Sequence, residues 1–237
     1  DTPHWEVPTV LWLGSGDGAI RAMWIVGALF AGLALFGKFQ RAALAGCLVL
    51  WLSVCAAGQD FLSFQWDVLL LEAGFLAIFA DQSRVMVWLF RWLVFRLMFF
   101  SGVVKCLSRD PSWHNLMAMR YHYKTQPLPT PLAWYMHQLP LGFQKASTLF
   151  TFVVELVVPF LFFAPRRIRR AAGWLTIGLQ VLILLTGNYT FFNWLTILLC
   201  MWLFVEPVPG SRVRYPEWAL ALFVGIASLL LFLELFS

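Results

Sequence analysis

Charge is what this chain lacks. Of its 237 residues only 12% are Asp, Glu, Lys or Arg, while 61% are hydrophobic; a water-soluble domain carries about 25% charged residues. Lipid rather than water is therefore the expected solvent. Cysteine is scarce too. Cys47, Cys55, Cys106 and Cys200 fall in or beside apolar segments, with no CxxC and no histidine at ligand spacing. That excludes a zinc-site or disulfide-framework pattern, so no metal is expected. One pairing stays open, Cys55 with Cys106, which should lie near the same membrane face. No internal repeat, Gly/Ser linker or low-complexity tract divides the sequence, so residues 1–237 are expected to form a single transmembrane domain. There is no initiator Met and no signal-peptide pattern, and the chain reads as a piece of a longer protein. The net charge of +5 sits on scattered short connectors, which the positive-inside rule explains; nucleic acid is not an expected partner.

What is present is apolar helix. A spanning helix needs about 20 predominantly apolar residues. Eight runs qualify or nearly so: 19–36, 41–57, 67–80, 85–107, 146–164, 171–186, 191–205 and 218–236. The third and seventh are short. The connectors after the first, third, fifth and seventh hold Lys38 and Arg41, Arg84, the run Arg166, Arg167, Arg169 and Arg170, and Arg212 and Arg214. By the positive-inside rule these face the cytoplasm. The expected fold class is thus all-α, a polytopic transmembrane helix bundle of about eight spans, embedded in a lipid bilayer. Both ends of the sequence, and the long connector 108–145, would lie on the outer side.

That connector is the longest polar interval, and loops carry function more often than the helices holding them. Residues 113–123 have a helical pattern, with Ser112 as an N-cap after Pro111. Three prolines in Gln126 to Pro131 demand extended or turning backbone. Leu132 to Leu139, with Trp134, Tyr135 and His137, has the composition of an amphipathic or re-entrant piece in the headgroup layer. The cluster His114, Arg120, Tyr121, His122, Tyr123 and Lys124 supplies a histidine beside two phenols, a general-base arrangement.

Charges inside the apolar runs must pair or line water, because each costs at least about 2.5 kcal/mol at the bilayer centre. Two interhelical pairs are expected from shared depth, Arg96 with Glu155 and Lys105 with Glu72. Arg91, nearer the cytoplasmic side, can snorkel. Gln180 and Asn193 are each expected to be interhelical hydrogen bonders, while Glu234 stands alone in the last run. The functional version of the same charges is a polar cavity opening outward, floored by Arg96 and Glu155 and walled by Lys105, Glu72, Asp67 and Asn188. Its acid–base candidates would be His122, Lys105, Glu72 and Arg96. The sequon at Asn188 to Thr190 sits too close to the bilayer to expect glycosylation.

Four long segments carry a family resemblance: FQWDVLLLEAGFLAIF (Phe64 to Phe79), WLFRWLVFRLMFFSGVVK (Trp88 to Lys105), the stretch from Asp110 to Pro140, and FVVELVVPFLFFAPRR followed by LTGNYTFFNWLTILLC. With these the sequence resembles the lipase maturation factors. The resemblance implies a polytopic membrane protein that helps secreted lipases, or other exported clients, to fold and assemble. It would sit in the endoplasmic reticulum of a eukaryote or the inner membrane of a bacterium. It also implies a further membrane helix before this segment and a large outer-side domain after it. The family-like polar positions are Trp66, Asp67, Glu72, Arg96, Lys105, Tyr121, His122 and Asn188; the family transfers no catalytic residue and no cofactor. A fainter similarity, to the horizontally transferred transmembrane domains that include the vitamin K-dependent gamma-carboxylase, supports a different function. This is a membrane enzyme or ligand-binding protein that uses a lipid or quinone in a cavity among helices three to six.

Overall fold

The computed structural model describes residues 7–209 and 215–234, and the described residues are helical with turns between. Arg212, Arg214 and the side chain of Glu234 lie outside what is described. By contact the chain divides into two compact units, Asp1–Asp81 and Gln82–Ser237.

The first unit holds α1 (Asp17–Leu35), α2 (Gln40–Gly58) and α3 (Gln65–Ile78). Phe39 takes the left-handed conformation at the start of α2, with φ 47°, and turns the chain back after Gly37, also at positive φ. Ser53, buried on α2, receives the Val10 N–H on its hydroxyl at 3.1 Å and Thr9 Oγ1 on its carbonyl at 3.1 Å, which ties the N-terminal turn to the helix. Asp67 is buried at the start of α3, and its Oδ2 meets no hydrogen-bond donor among the described residues.

The second unit is built on α4 (Arg84–Leu107), capped at Ser83, whose side chain accepts from the Met86 N–H. Three one- or two-turn helices follow: α5 (Pro111–His114), α6 (Ala118–Thr125) and α7 (Pro131–Gln138). The helical stretch expected over 113–123 is broken at Leu116, which takes φ 57°. Its cap is Asp110, not Ser112, because Pro111 occupies the first helical position and leaves Asp110 Oδ1 to accept from the Ser112 N–H at 2.8 Å. That bond holds the Asp110 carboxyl below its ordinary value.

Next, α8 (Leu141–Phe152) passes into a π turn (Val153–Val157) and a 3-10 turn (Val158–Phe163). Pro159 explains the change of winding. It has no N–H to give the carbonyl of Glu155, and its ring collides with that carbonyl, so the preceding turn widens. The Val158 N–H then reaches Val153 O, five residues back. After it come α9 (Arg166–Thr186), α10 (Phe192–Cys200) with a 3-10 tail, and α11 (Tyr215–Glu234).

Among the described residues five helices are long and apolar enough to cross a membrane: Asp17–Leu35, Gln40–Leu62, Arg84–Leu107, Leu141–Phe163 and Arg166–Thr186. Phe192–Leu203 and Glu217–Leu233 are apolar but shorter. Among the described residues each of the eight expected runs overlaps a helix, the 67–80 run falling on α3 (Gln65–Ile78), but length and composition support spanning for five. Their outward faces carry Leu29, Trp174, Trp194, Leu198 and Leu222, each more than half exposed, a surface suited to lipid.

The arginine expected to snorkel does not. Arg91 is buried and donates to the carbonyls of Trp202 (3.3 Å) and Val205 (2.5 Å). Arg169, also buried, donates to Leu203 O and Ala164 O and pairs with Glu206. Together they satisfy carbonyls left open where helical structure ends, a closer source of partners than the headgroup layer. Between α9 and α10, Asn193 Nδ2 donates to Gln180 Oε1 at 2.6 Å, and Gln180 donates to Met98 Sδ at 3.8 Å; both residues are interhelical hydrogen bonders, as expected. Intramembrane side-chain bonds contribute about 0.6 kcal/mol, up to about 1.7. Asn193→Leu and Gln180→Leu should each lower stability by about 1 kcal/mol in reversible detergent unfolding, and the double variant should lose no more than the worse single one.

Candidate functional site

The intramembrane charges do not pair as their assumed depths suggested. Glu155 is met by Lys105, whose Nζ lies 2.8 Å from Oε1 and 2.7 Å from Oε2. Arg96 instead donates to Ser228 Oγ at 3.2 Å on α11. The reason lies at the start of α8. Gln144 Nε2 donates to Met136 O at 2.7 Å, and Thr148 Oγ1 accepts from the Met119 N–H at 3.3 Å. The first turns of α8 thus run beside α6 and α7 rather than beside α4. Glu155, though well into its helix, arrives level with the last turns of α4, where Lys105 is.

Three local features bring the pair together. The π turn centred on Glu155 widens the helix and redirects its side chain. Gly102, one turn before Lys105, lets α4 approach: a Cβ there would lie 2.6 Å from Leu156 Cδ2 and 3.1 Å from Glu155 Cβ. Lys105 also donates to Ser101 O at 3.1 Å, so all three of its N–H groups are used. The face of Trp113 lies 5.5 Å from the ammonium, within cation–π range, and Trp113 itself meets Phe152 edge to face at 5.7 Å.

His122, on α6, is half-buried near this pair. Burial first, and the positive charge of Lys105 second, hold its imidazole below the ordinary value of 6.5. Its ring lies parallel to that of Tyr189, with centroids 6.4 Å apart. Burial raises the phenols of Tyr189 and Tyr123 above their usual value, Tyr123 being partly offset by a hydrogen bond with Ser147. At neutral pH the arrangement is a neutral imidazole between neutral phenols, beside a locked ammonium–carboxylate pair.

The segment carrying His122 is strapped down at its other end. Gln126 Nε2 donates to Thr186 O at 2.8 Å, Thr130 N–H to the same oxygen at 3.3 Å, and Thr130 Oγ1 to Leu185 O at 2.6 Å. These are the terminal carbonyls of α9, which have no donor within their own helix. Gly187 makes room for the strap, since a Cβ there would lie 2.3 Å from Gln126 Oε1.

Of the candidate residues, Lys105, Glu155 and His122 come together, with Trp113 as an unanticipated member. The aromatic content of the loop was visible, but only the fold places that one ring over the lysine. Arg96 lies deeper along α4. Tyr121 is exposed, and Asn188 is an exposed turn residue whose Oδ1 accepts the Thr190 N–H at 3.0 Å. Trp66, stacked on Phe64 at 4.7 Å, and Asp67 and Glu72 belong to the other unit. All four cysteines are free thiols, so Cys55 and Cys106 are not joined. Among the described residues no group of three or more His, Cys, Asp or Glu side chains converges on a metal position.

Removing one member of a buried pair leaves an uncompensated charge, at about 3 to 5 kcal/mol, whereas replacing both with apolar residues is often neutral. Lys105→Met and Glu155→Leu should each destabilise by about 3 kcal/mol, and the double variant should regain most of the loss in unfolding titrations. Because the folded-state pKa of His122 is depressed, its contribution to stability is complete above 6.5 and is lost as pH falls through the lower folded value. Nuclear magnetic resonance titration should therefore place the His122 midpoint below 6.5, and Lys105→Met should raise it.

A family model described as the lipase maturation factor transmembrane domain matches residues 1–208. Lipase maturation factor 2 of Gallus gallus is 49% identical over 228 residues, covering 86% of this chain and 32% of that protein. The Homo sapiens protein of the same name is 44% identical, covering 98% of this chain and 37% of its own length. Lipase maturation factor 1 of Mus musculus is 36% identical, covering 80% of this chain and 36% of that protein. The chain thus spans about a third of the length of these relatives, as the shares of 32%, 37% and 36% show. No solved structure matches it.

Proposed function

This chain belongs to the lipase maturation factor family, and from that premise we propose that it is the membrane part of a factor assisting the folding or assembly of a secreted lipase or another exported client. Its compartment would be the endoplasmic reticulum in a eukaryote or the inner membrane in a bacterium. In this reading α5 to α7 face the outer side, where exported clients fold. The observation that carries it is a held but exposed apolar surface. Leu128, Trp134 and Tyr135 are each more than three-fifths exposed. Yet their segment is pinned by the α9 carbonyls at Gln126 and Thr130, and by His137 Nδ1 against Arg120 O at 3.0 Å. Exposed aromatic residues on a fixed backbone suit recognition of a partly folded chain, because little side-chain freedom is lost on contact.

A second reading, a membrane ligand-binding or redox protein, draws on the neutral His122 beside Lys105 and Glu155. A lipid or quinone would be its ligand. An inventory by mass spectrometry of small molecules retained by the purified protein separates the two: a quinone held by wild type and lost from Lys105→Met favours the second.

For the first, Trp134→Ala with Tyr135→Ala, in the full-length protein expressed in cells lacking their own factor, should reduce active secreted lipase several-fold at unchanged expression. Secretion equal to wild type would remove this surface from the function.

A further inference from the structure

A groove of about 800 Å³ runs between α4 and α11 on the second unit, closed on one side by the 3-10 end of α8. Its α4 wall is the stripe Val85, Trp88, Leu89 and Trp92, at helical spacing; its α11 wall includes Trp218 and Gly225. Trp88 stacks on Phe163 at 5.3 Å, so two rings form one flat side. At the inner end Trp92 Nε1 donates to Ser228 Oγ at 3.0 Å, which fixes the floor. Below the mouth every lining side chain is apolar or aromatic.

The mouth is different. Arg84, at the first turn of α4, lines it together with the exposed indoles of Trp88 and Trp218. Arg84 is exposed and forms no ion pair or hydrogen bond through its side chain with the described residues. Tryptophan is the side chain that settles at headgroup level, with an apolar body and a polar edge. A cation at that level attracts an anionic headgroup, and the positive end of α4 adds to the field. The volume lies in the range of small-molecule sites.

We propose that this groove binds one phospholipid with a net negative headgroup, its phosphate on Arg84 and one acyl chain lying along Trp88, Trp92 and Phe163. The occupant is a lipid rather than a protein helix because the polar requirement is a single cation at the mouth, with rings beneath it. It is anionic because the one charged side chain among the described lining residues, Arg84, is positive.

Gly225 gives a clean test. A Cβ at that position meets nothing within 4 Å, so Gly225→Phe places a ring in the groove without a backbone clash. Arg84→Gln changes only an exposed side chain. The purified protein is incubated with equal amounts of phosphatidylglycerol and phosphatidylcholine of the same acyl chains, and retained lipid is counted by native mass spectrometry. Wild type should keep one lipid, with an anionic preference of about fivefold, the factor one cation near the surface provides. Arg84→Gln should bring the preference to near one, and Gly225→Phe should abolish retention of both lipids. Retention by Gly225→Phe equal to wild type would overturn the site, and so would no retained lipid in wild type. An unchanged preference in Arg84→Gln would overturn the headgroup assignment, and that variant decides the matter if Gly225→Phe fails to fold.

Discussion

A charge inside an apolar bundle has to be met, and the second unit is arranged around meeting one. Lys105 is satisfied by both oxygens of Glu155, by the Ser101 carbonyl and by the face of Trp113. Each partner comes from a different feature of the chain. Glu155 is delivered by the π turn that Pro159 forces, the approach is allowed by Gly102, and Trp113 comes from the short helix that Asp110 starts. An ammonium so fully used is costly to strip of one partner. The same cation then acts on its surroundings, since its field helps to hold His122 neutral.

Helix ends pose the complementary problem, because carbonyls without donors are expensive away from water. The two clusters in the second unit solve it with side chains supplied from elsewhere. Gln126 and Thr130 close the end of α9, and in doing so strap the 108–145 segment to the bundle. Arg91 and Arg169 close the turns after α10 and α8, with Glu206 balancing their charge. Thus the loop that bears the exposed aromatic surface is fixed by the same rule that fixes the core.

Helix positions were readable in the sequence because apolar runs and prolines mark them directly. Each of the eight expected runs overlaps a helix among the described residues, with ends shifted by a few residues. Pairing was not readable. Depth was inferred by starting every helix at one plane, whereas α8 begins beside α6 and α7 and brings Glu155 to Lys105. That Asn193 and Gln180 would hydrogen-bond between helices was legible because an amide in an apolar helix has few alternatives; that they bond each other came only with the fold. Arg91 was misread as a snorkelling side chain because the open carbonyls of Trp202 and Val205 exist only in the fold. The groove between α4 and α11 was invisible for a similar reason, as its walls come from helices distant in sequence.

Hydrogen–deuterium exchange over residues 111–126, compared between wild type and Glu155→Gln in the same detergent, tests most directly whether the Lys105–Glu155 pair organises this unit. If it does, losing the carboxylate charge frees the ammonium from Trp113, and exchange in α5 and α6 speeds up while α9 and α10 keep their protection. Identical exchange in the two proteins would contradict that role, and would leave the loop held by the Gln126 and Thr130 strap alone.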